Sequence, residues 1–221
     1  MSTSEVPAIY DIDGMDSKTK KAEQSEATHK ALVQVARRLF AEHGYGGTAT
    51  EEVVKQAGVT RGALYHHFRD KRDLFLAVYD DMNQDVANRI IQSVEKEMHD
   101  DPWDGLIIGC QAYLDTQLDP EIRRIAADGA AVLSYDSRME IANRCGLGLM
   151  KSGLKKAMEA RAIEEQPIEL LAQMIHGALN EAAHAMVRAD DPYVAREQVG
   201  ESMTKMLEGL RTKKRATAKA R

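Results

Sequence analysis

One stretch constrains this chain more than any other: TATEEVVKQAGVTRGALYHHF, Thr48 to Phe68, with the basic loop RDKR (Arg69 to Arg72) behind it. The hydroxyl of Thr50 is suited to cap a helix that begins at Glu51 or Glu52. Val53, Val54 and Ala57 give that helix one apolar face, and Gly58 ends it where a left-handed residue is needed. Val59 plugs the turn, and Thr60 caps a second helix from Arg61 to about Phe68, with Leu64 and Phe68 on one face at i, i+4. The opposite face presents Arg61, Gly62 and Ala63 at the N-terminal end, then Tyr65, His66 and His67. It is slim at the front and rich in donors, which suits a helix that enters a major groove end-on. Arginine forks onto guanine O6 and N7, small residues allow close approach, and Tyr and His reach phosphates. The pattern predicts a helix-turn-helix with Arg61, Gly62, Ala63 and His66 as base readers and Thr50, Thr60, Tyr65, His67 and Lys71 as phosphate contacts. The competing reading is an ordinary helical hairpin with a polar surface.

The run GVTRGALYHHFRDKRDLF closely resembles the recognition-helix signature of the TetR/AcrR-type transcription regulators, the tetracycline-repressor-like proteins. The resemblance begins upstream, at ALVQVARRLFAEHGYGGTATEEVVKQA, and covers about fifty residues, 28 to 78. It implies an all-helical homodimer that binds a palindromic DNA operator, usually as a repressor released by a small ligand. The chain departs from the common pattern at Glu51, where some members carry an Arg that also touches DNA, so that contact is not carried over.

Charge is distributed in keeping with such a role. The whole chain is at −5, yet residues 18–75 hold eleven Lys/Arg against seven Asp/Glu, and residues 211–221 hold six Lys/Arg and no acid. Residues 1–17 stand at −4, which leaves 76–210 at −11. A basic front on an acidic body favours local contact with DNA and repulsion elsewhere. Apolar content of 43% suffices for a core, and the N-terminus lacks the apolar stretch of a signal peptide. No apolar run approaches the ~18 residues of a membrane span. Two cysteines without a CxxC spacing point to a reducing cytoplasm.

In chain order, residues 1–24 are polar and unpatterned and are expected to form a disordered arm. Lys18, Lys20 and Lys21 at its inner end are open to two readings, phosphate contact or a solvated charge run. A first helix from about Ser25 to His43 carries Ala31, Leu32, Val35, Ala36, Leu39 and Phe40 as a stripe and is closed by Gly44. It packs behind the helix-turn-helix, giving a DNA-binding unit over 25–72. A long helix from Asp73 to about Met98 is read as a strut into a body over 73–210. Further helices are expected over 103–118, from Pro120, over 137–162, over 167–188 and over 192–210. By the resemblance, Trp103, Cys110, Tyr113, Met139, Met150, Met174 and His176 are candidate lining residues of a ligand pocket, with plain core packing as the alternative. The resemblance also puts the dimer interface in the helices 167–188 and 192–210; the apolar pattern alone does not separate that from packing within one chain. The tail 211–221 is basic and unpatterned, with loose DNA contact and solubility as equal readings.

Catalytic signatures are missing. There is no GxGxxG, no P-loop lysine motif and no nucleophile elbow. His66 and His67 are adjacent and diverge by ~100° on a helix, and His176 and His184 with Glu181 are too few for a metal site, so neither metal nor cofactor is expected. An enzyme is not expected; the leading reading is a ligand-responsive regulator, beside an architectural DNA binder of the same fold that coats many sites without an effector, and a helical ligand-binding or enzymatic protein in which the motif is incidental.

Overall fold

The computed structural model describes residues 12–97 and 101–212, with side chains from residue 20 onward. The described residues form ten helices and no strand: α1 (Ile12–Gly47), α2 (Thr50–Ala57), α3 (Arg61–His67), α4 (Lys71–Glu97), α5 (Pro102–Thr116), α6 (Pro120–Val132), α7 (Tyr135–Arg144), α8 (Gly146–Glu159), α9 (Ile168–Arg188) and α10 (Pro192–Glu208). An all-α chain with a helix-turn-helix at its front and a helical body behind is what the pattern predicts.

Differences fall where apolar periodicity carries no information. The first helix begins at Ile12, not near Ser25, so half of the expected arm is helical. Its Lys, Ala, Glu and Gln residues propagate an existing helix without needing a buried face; residues 1–11 lie outside the described part. The helix expected over 137–162 is two helices, broken at Cys145 (φ −111°, ψ −118°). Gly148 permits the break: a Cβ there would come within 2.5 Å of the Asn143 carbonyl oxygen. The tail is not free at its start. Arg211 pairs with Asp101, Asp104 and Glu208, and the Thr212 amide donates to the Ala162 carbonyl at 2.8 Å. Residues 213–221 lie outside the described part.

Two apolar cores organise the molecule. The first gathers Leu32, Ala36, Leu39 and Phe40 of α1, Val53 of α2, Leu64 of α3 and Leu74, Phe75 and Val78 of α4, then continues into Ile122 and Ile125 of α6. The helix-turn-helix is therefore not a separate bead; α6 of the body is part of its core. Each of these large side chains contributes ~1.5–3 kcal/mol by leaving water. The second core holds Trp103, Leu106 and Leu114 of α5 with Leu147, Leu154, Ile175, Leu179, Met203 and Leu207. Capping defines the body helices: Asp101, Asp119, Ser134 and Asp191 each accept from an N-terminal amide of α5, α6, α7 and α10.

Candidate nucleic-acid interface and ligand cavity

The turn between α2 and α3 is built as its residues demand. Gly58 sits at φ 67°, ψ 27°, and its amide and that of Val59 return to the carbonyls of Lys55 and Val54. Thr60 caps α3, its hydroxyl accepting from the Ala63 amide at 3.1 Å. Thr50 is no cap: Ala49 holds that position, and the Thr50 hydroxyl lies 3.3 Å from the Glu51 carboxylate as the first residue of α2. The buried hydroxyl in this region is that of Thr48, which donates to the carbonyls of Leu39 and Gly44 and ties the entrance of α2 to the end of α1. Sequence reasoning passed over it because a buried Thr and a capping Thr look alike in a TAT run.

Leu64 is fully buried and Phe68 nearly so, which turns the rest of α3 outward. Arg61, Gly62, Tyr65 and His66 are exposed, and Ala63 is half-buried between them. The Arg61 guanidinium lies 3.5 Å from the Glu51 carboxylate and 5.5 Å from the centre of the Tyr65 ring. His67 is turned toward α1, its ring 5.8 Å from that of His29, and burial followed by the charges of His29 and His66 lowers its pKa. Lys71 at the start of α4 rests its ammonium 4.5 Å from the centre of the Tyr45 ring, where burial lowers its pKa against the opposing pull of Asp128.

Behind this unit lies a cavity of about 900 Å³, walled by one stripe of α4 (Tyr79, Met82, Asn83, Val86, Ile90, Val94) and by α5 to α9. Five of the seven expected lining residues face it: Cys110, Tyr113, Met139, Met150 and His176. Trp103 does not line it. It is fully buried in the second core, at the first turn of α5. Met174 is 71% exposed on the outer face of α9, one residue away in rotation from the inward stripe. Polar groups meet on one wall: the Tyr113 hydroxyl donates to Asn180 Oδ1 at 2.7 Å, and Asn180 Nδ2 is 3.3 Å from His176 Nδ1. Burial raises the Tyr113 phenol above its ordinary range and lowers His176. The Cys110 thiol is pushed up to about 12 by burial, so it is inert as a thiolate. Tyr79, Asn83, Arg138 and Asn180 were missed, since isolated polar residues inside amphipathic helices carry no signal of which way a cavity lies.

Cavity and interface share α6. Ile122, Ala126 and Ala130 line the cavity, while Glu121 and Asp128 reach the DNA-binding unit. Asp128 accepts from the Tyr45 amide at 2.7 Å, in the link that follows Gly44 (φ 72°). Arg37 of α1 bonds Asp81 (2.8 Å) and Asp85 (3.2 Å) of α4 and Glu121 (2.5 Å) of α6. Burial pulls this guanidinium's pKa down, but the three carboxylates outweigh it and hold the pKa above its ordinary value. Among the described residues, no group of three or more His, Cys, Asp or Glu is placed to hold a metal, and no helix is long and apolar enough to cross a membrane.

Comparison with known proteins agrees with this geometry. The family of bacterial regulatory proteins, tetR family, matches residues 32–78, and the tetracyclin repressor-like C-terminal domain matches residues 103–210. The transcriptional repressor AcnR of Corynebacterium efficiens is 33% identical over 131 residues, 57% of this chain and 70% of that protein. The transcriptional regulator TtgR of Pseudomonas putida is 30% identical over 109 residues, 47% of this chain and 49% of that one. The crystal structure of a TetR-family regulator from Pectobacterium atrosepticum superposes with a TM-score of 0.73 at 33% identity, covering 86% of this chain and 97% of the other. These relatives are transcription regulators. With its recognition helix, its helical body and both halves matched, the chain is a DNA-binding transcription regulator and belongs to the TetR family.

Proposed function

We propose that the protein is a homodimeric repressor that binds a palindromic operator in the cytoplasm and is released from it by a small molecule held in the cavity. The observation that carries this reading is the sharing of α6 between cavity wall and DNA-binding core. A ligand that presses on Ile122, Ala126 or Ala130 moves the helix that holds Arg37 through Glu121 and the Tyr45 amide through Asp128. The strut α4 is carried with it, because Arg37 also binds Asp81 and Asp85.

Two copies of α3 in a dimer sit about one helical turn apart on DNA, roughly 34–36 Å or a multiple. A ligand need only favour a different separation by a few kcal/mol to release the operator. In support of pairing through α9 and α10, these helices expose Leu170, Met174, Val187, Tyr193, Val194 and Met206. Arg61, Gly62, Ala63 and His66 then read bases, and Thr50, Thr60, Tyr65, His67 and Lys71 hold phosphates.

Selection of random duplex DNA by the purified protein at ~0.15 M salt tests the reading, at an ionic strength where non-specific contacts are partly screened. A palindromic consensus is the expected result. Retention without a consensus would replace the operator with architectural binding.

A further inference from the structure

We propose that the cavity ligand is an elongated amphipathic organic anion, a carboxylate on a hydrocarbon tail, with its head on Arg138. This rests on the reading of the cavity as the effector site. Arg138 of α7 lines the cavity, yet its side chain makes no hydrogen bond or ion pair with any described residue, and its Nε is shielded from solvent without a partner. The half-buried guanidinium, its Nε without an acceptor, offers its donors to an anion that enters this mostly apolar chamber. Asp136 and Glu140 of the same helix are exposed and make no ion pair with it; it lies near the Tyr79 phenol, where its charge opposes the upward pull of burial on that group.

The carboxylates on the wall are elsewhere. Glu95 is sixteen residues along α4 from Tyr79, roughly 24 Å at ~1.5 Å per residue. Asp101 is engaged with Arg211 and with the cap of α5. The other wall cation, Lys156, is exposed. One guanidinium without a partner therefore sets one negative charge, and sets it at the Tyr79 end. From there the stripe Met82, Val86, Ile90 and Val94 runs along α4, an apolar track that suits a chain rather than a compact polar metabolite. A carboxylate accepts from Arg in two parallel bonds, which fixes the head while the tail is held without direction.

The test uses the full chain with Nile red, a neutral fluorophore, in the cavity, displaced by dodecanoate or by dodecan-1-ol below their micelle concentrations. Dodecanoate is expected to displace the dye about tenfold better than the alcohol, a ratio typical of one charge-assisted pair. Arg138→Gln, which removes no side-chain hydrogen bond or ion pair among the described residues, is expected to bring that ratio to about one while leaving the alcohol unchanged. Arg138→Lys should keep part of it. Equal displacement by acid and alcohol in the native chain, or an unchanged ratio in Arg138→Gln, overturns the anion assignment while the cavity reading stands. Failure of Nile red and of both amphiphiles to bind overturns the cavity reading as well. Release of the selected operator duplex by dodecanoate is read separately, so that binding without release would retain the site and remove its role as a switch.

Discussion

Arg61 is held in the free chain by two neighbours, Glu51 and Tyr65, and both are exposed. A surface pair of this kind is weak, so DNA phosphate and base edges compete for the guanidinium easily. Arg61→Ala is expected to cost ~1–3 kcal/mol on the selected duplex and to relax one base position. Glu51→Gln should tighten binding to every duplex, because it frees Arg61 and removes a negative charge beside the phosphates. Anisotropy titrations over a salt series check both; an equal loss on random and selected DNA would end the base-reading role of Arg61. His67 gives a second residue-scale prediction. Its pKa is lowered from 6.5 by burial and by His29 and His66, so the unfolded chain binds the proton more readily. Stability should then fall as pH drops below about 6.5 and level off below the folded value, and His67→Gln should flatten the slope. Urea unfolding at pH 7.5, 6.5 and 5.5 measures it, with His176, also lowered by burial, adding in the same direction.

At the scale of elements, α6 is the member whose placement matters most. It packs on α1 and α4, and Gly129 lets the Tyr79 ring lie against it: a Cβ at Gly129 would fall 2.4 Å from that ring. Gly129→Ala is expected to destabilise the fold by ~1–3 kcal/mol, the usual range for overpacking. Because Tyr79 lines the cavity and α6 holds Glu121 and Asp128, the same variant should alter operator affinity even without ligand. A lowered urea midpoint with unchanged DNA binding would separate α6 from the interface. The split of α7 from α8 belongs here too. Three glycines between 146 and 153 announced weakness in a helix, but only the carbonyl of Asn143 against Gly148 shows where the chain breaks.

For the whole molecule the governing property is pairing. The exposed apolar residues of α9 and α10 are unpartnered in one chain, and a two-fold contact would bury them. Leu170→Glu with Met174→Glu is expected to give a monomer at micromolar concentration and to weaken operator binding by far more than either recognition helix loses alone. Sedimentation equilibrium reads the mass, and a double variant that remains a dimer would move the interface off this face of α9. The charge balance acts at the same scale: the body, at −11 over 76–210, disfavours contact with DNA relative to the basic front.

Local chemistry alone determined much of this protein. Gly58, Thr60, Leu64 and Phe68 specify the turn, the cap and the buried side of α3 because their signals act within four residues. Apolar stripes likewise specified that the body is helical. What only the tertiary structure decided depends on neighbours distant in the chain. Thr50 ceded its cap to Ala49 because Thr48 is drawn inward by carbonyls of α1. Trp103 went to the core and Met174 to the surface because a helical stripe says that one side is buried, not what it is buried against. Arg138 emerged as a lone guanidinium on the cavity wall because counter-charges are assigned by packing, and no sequence window contains them.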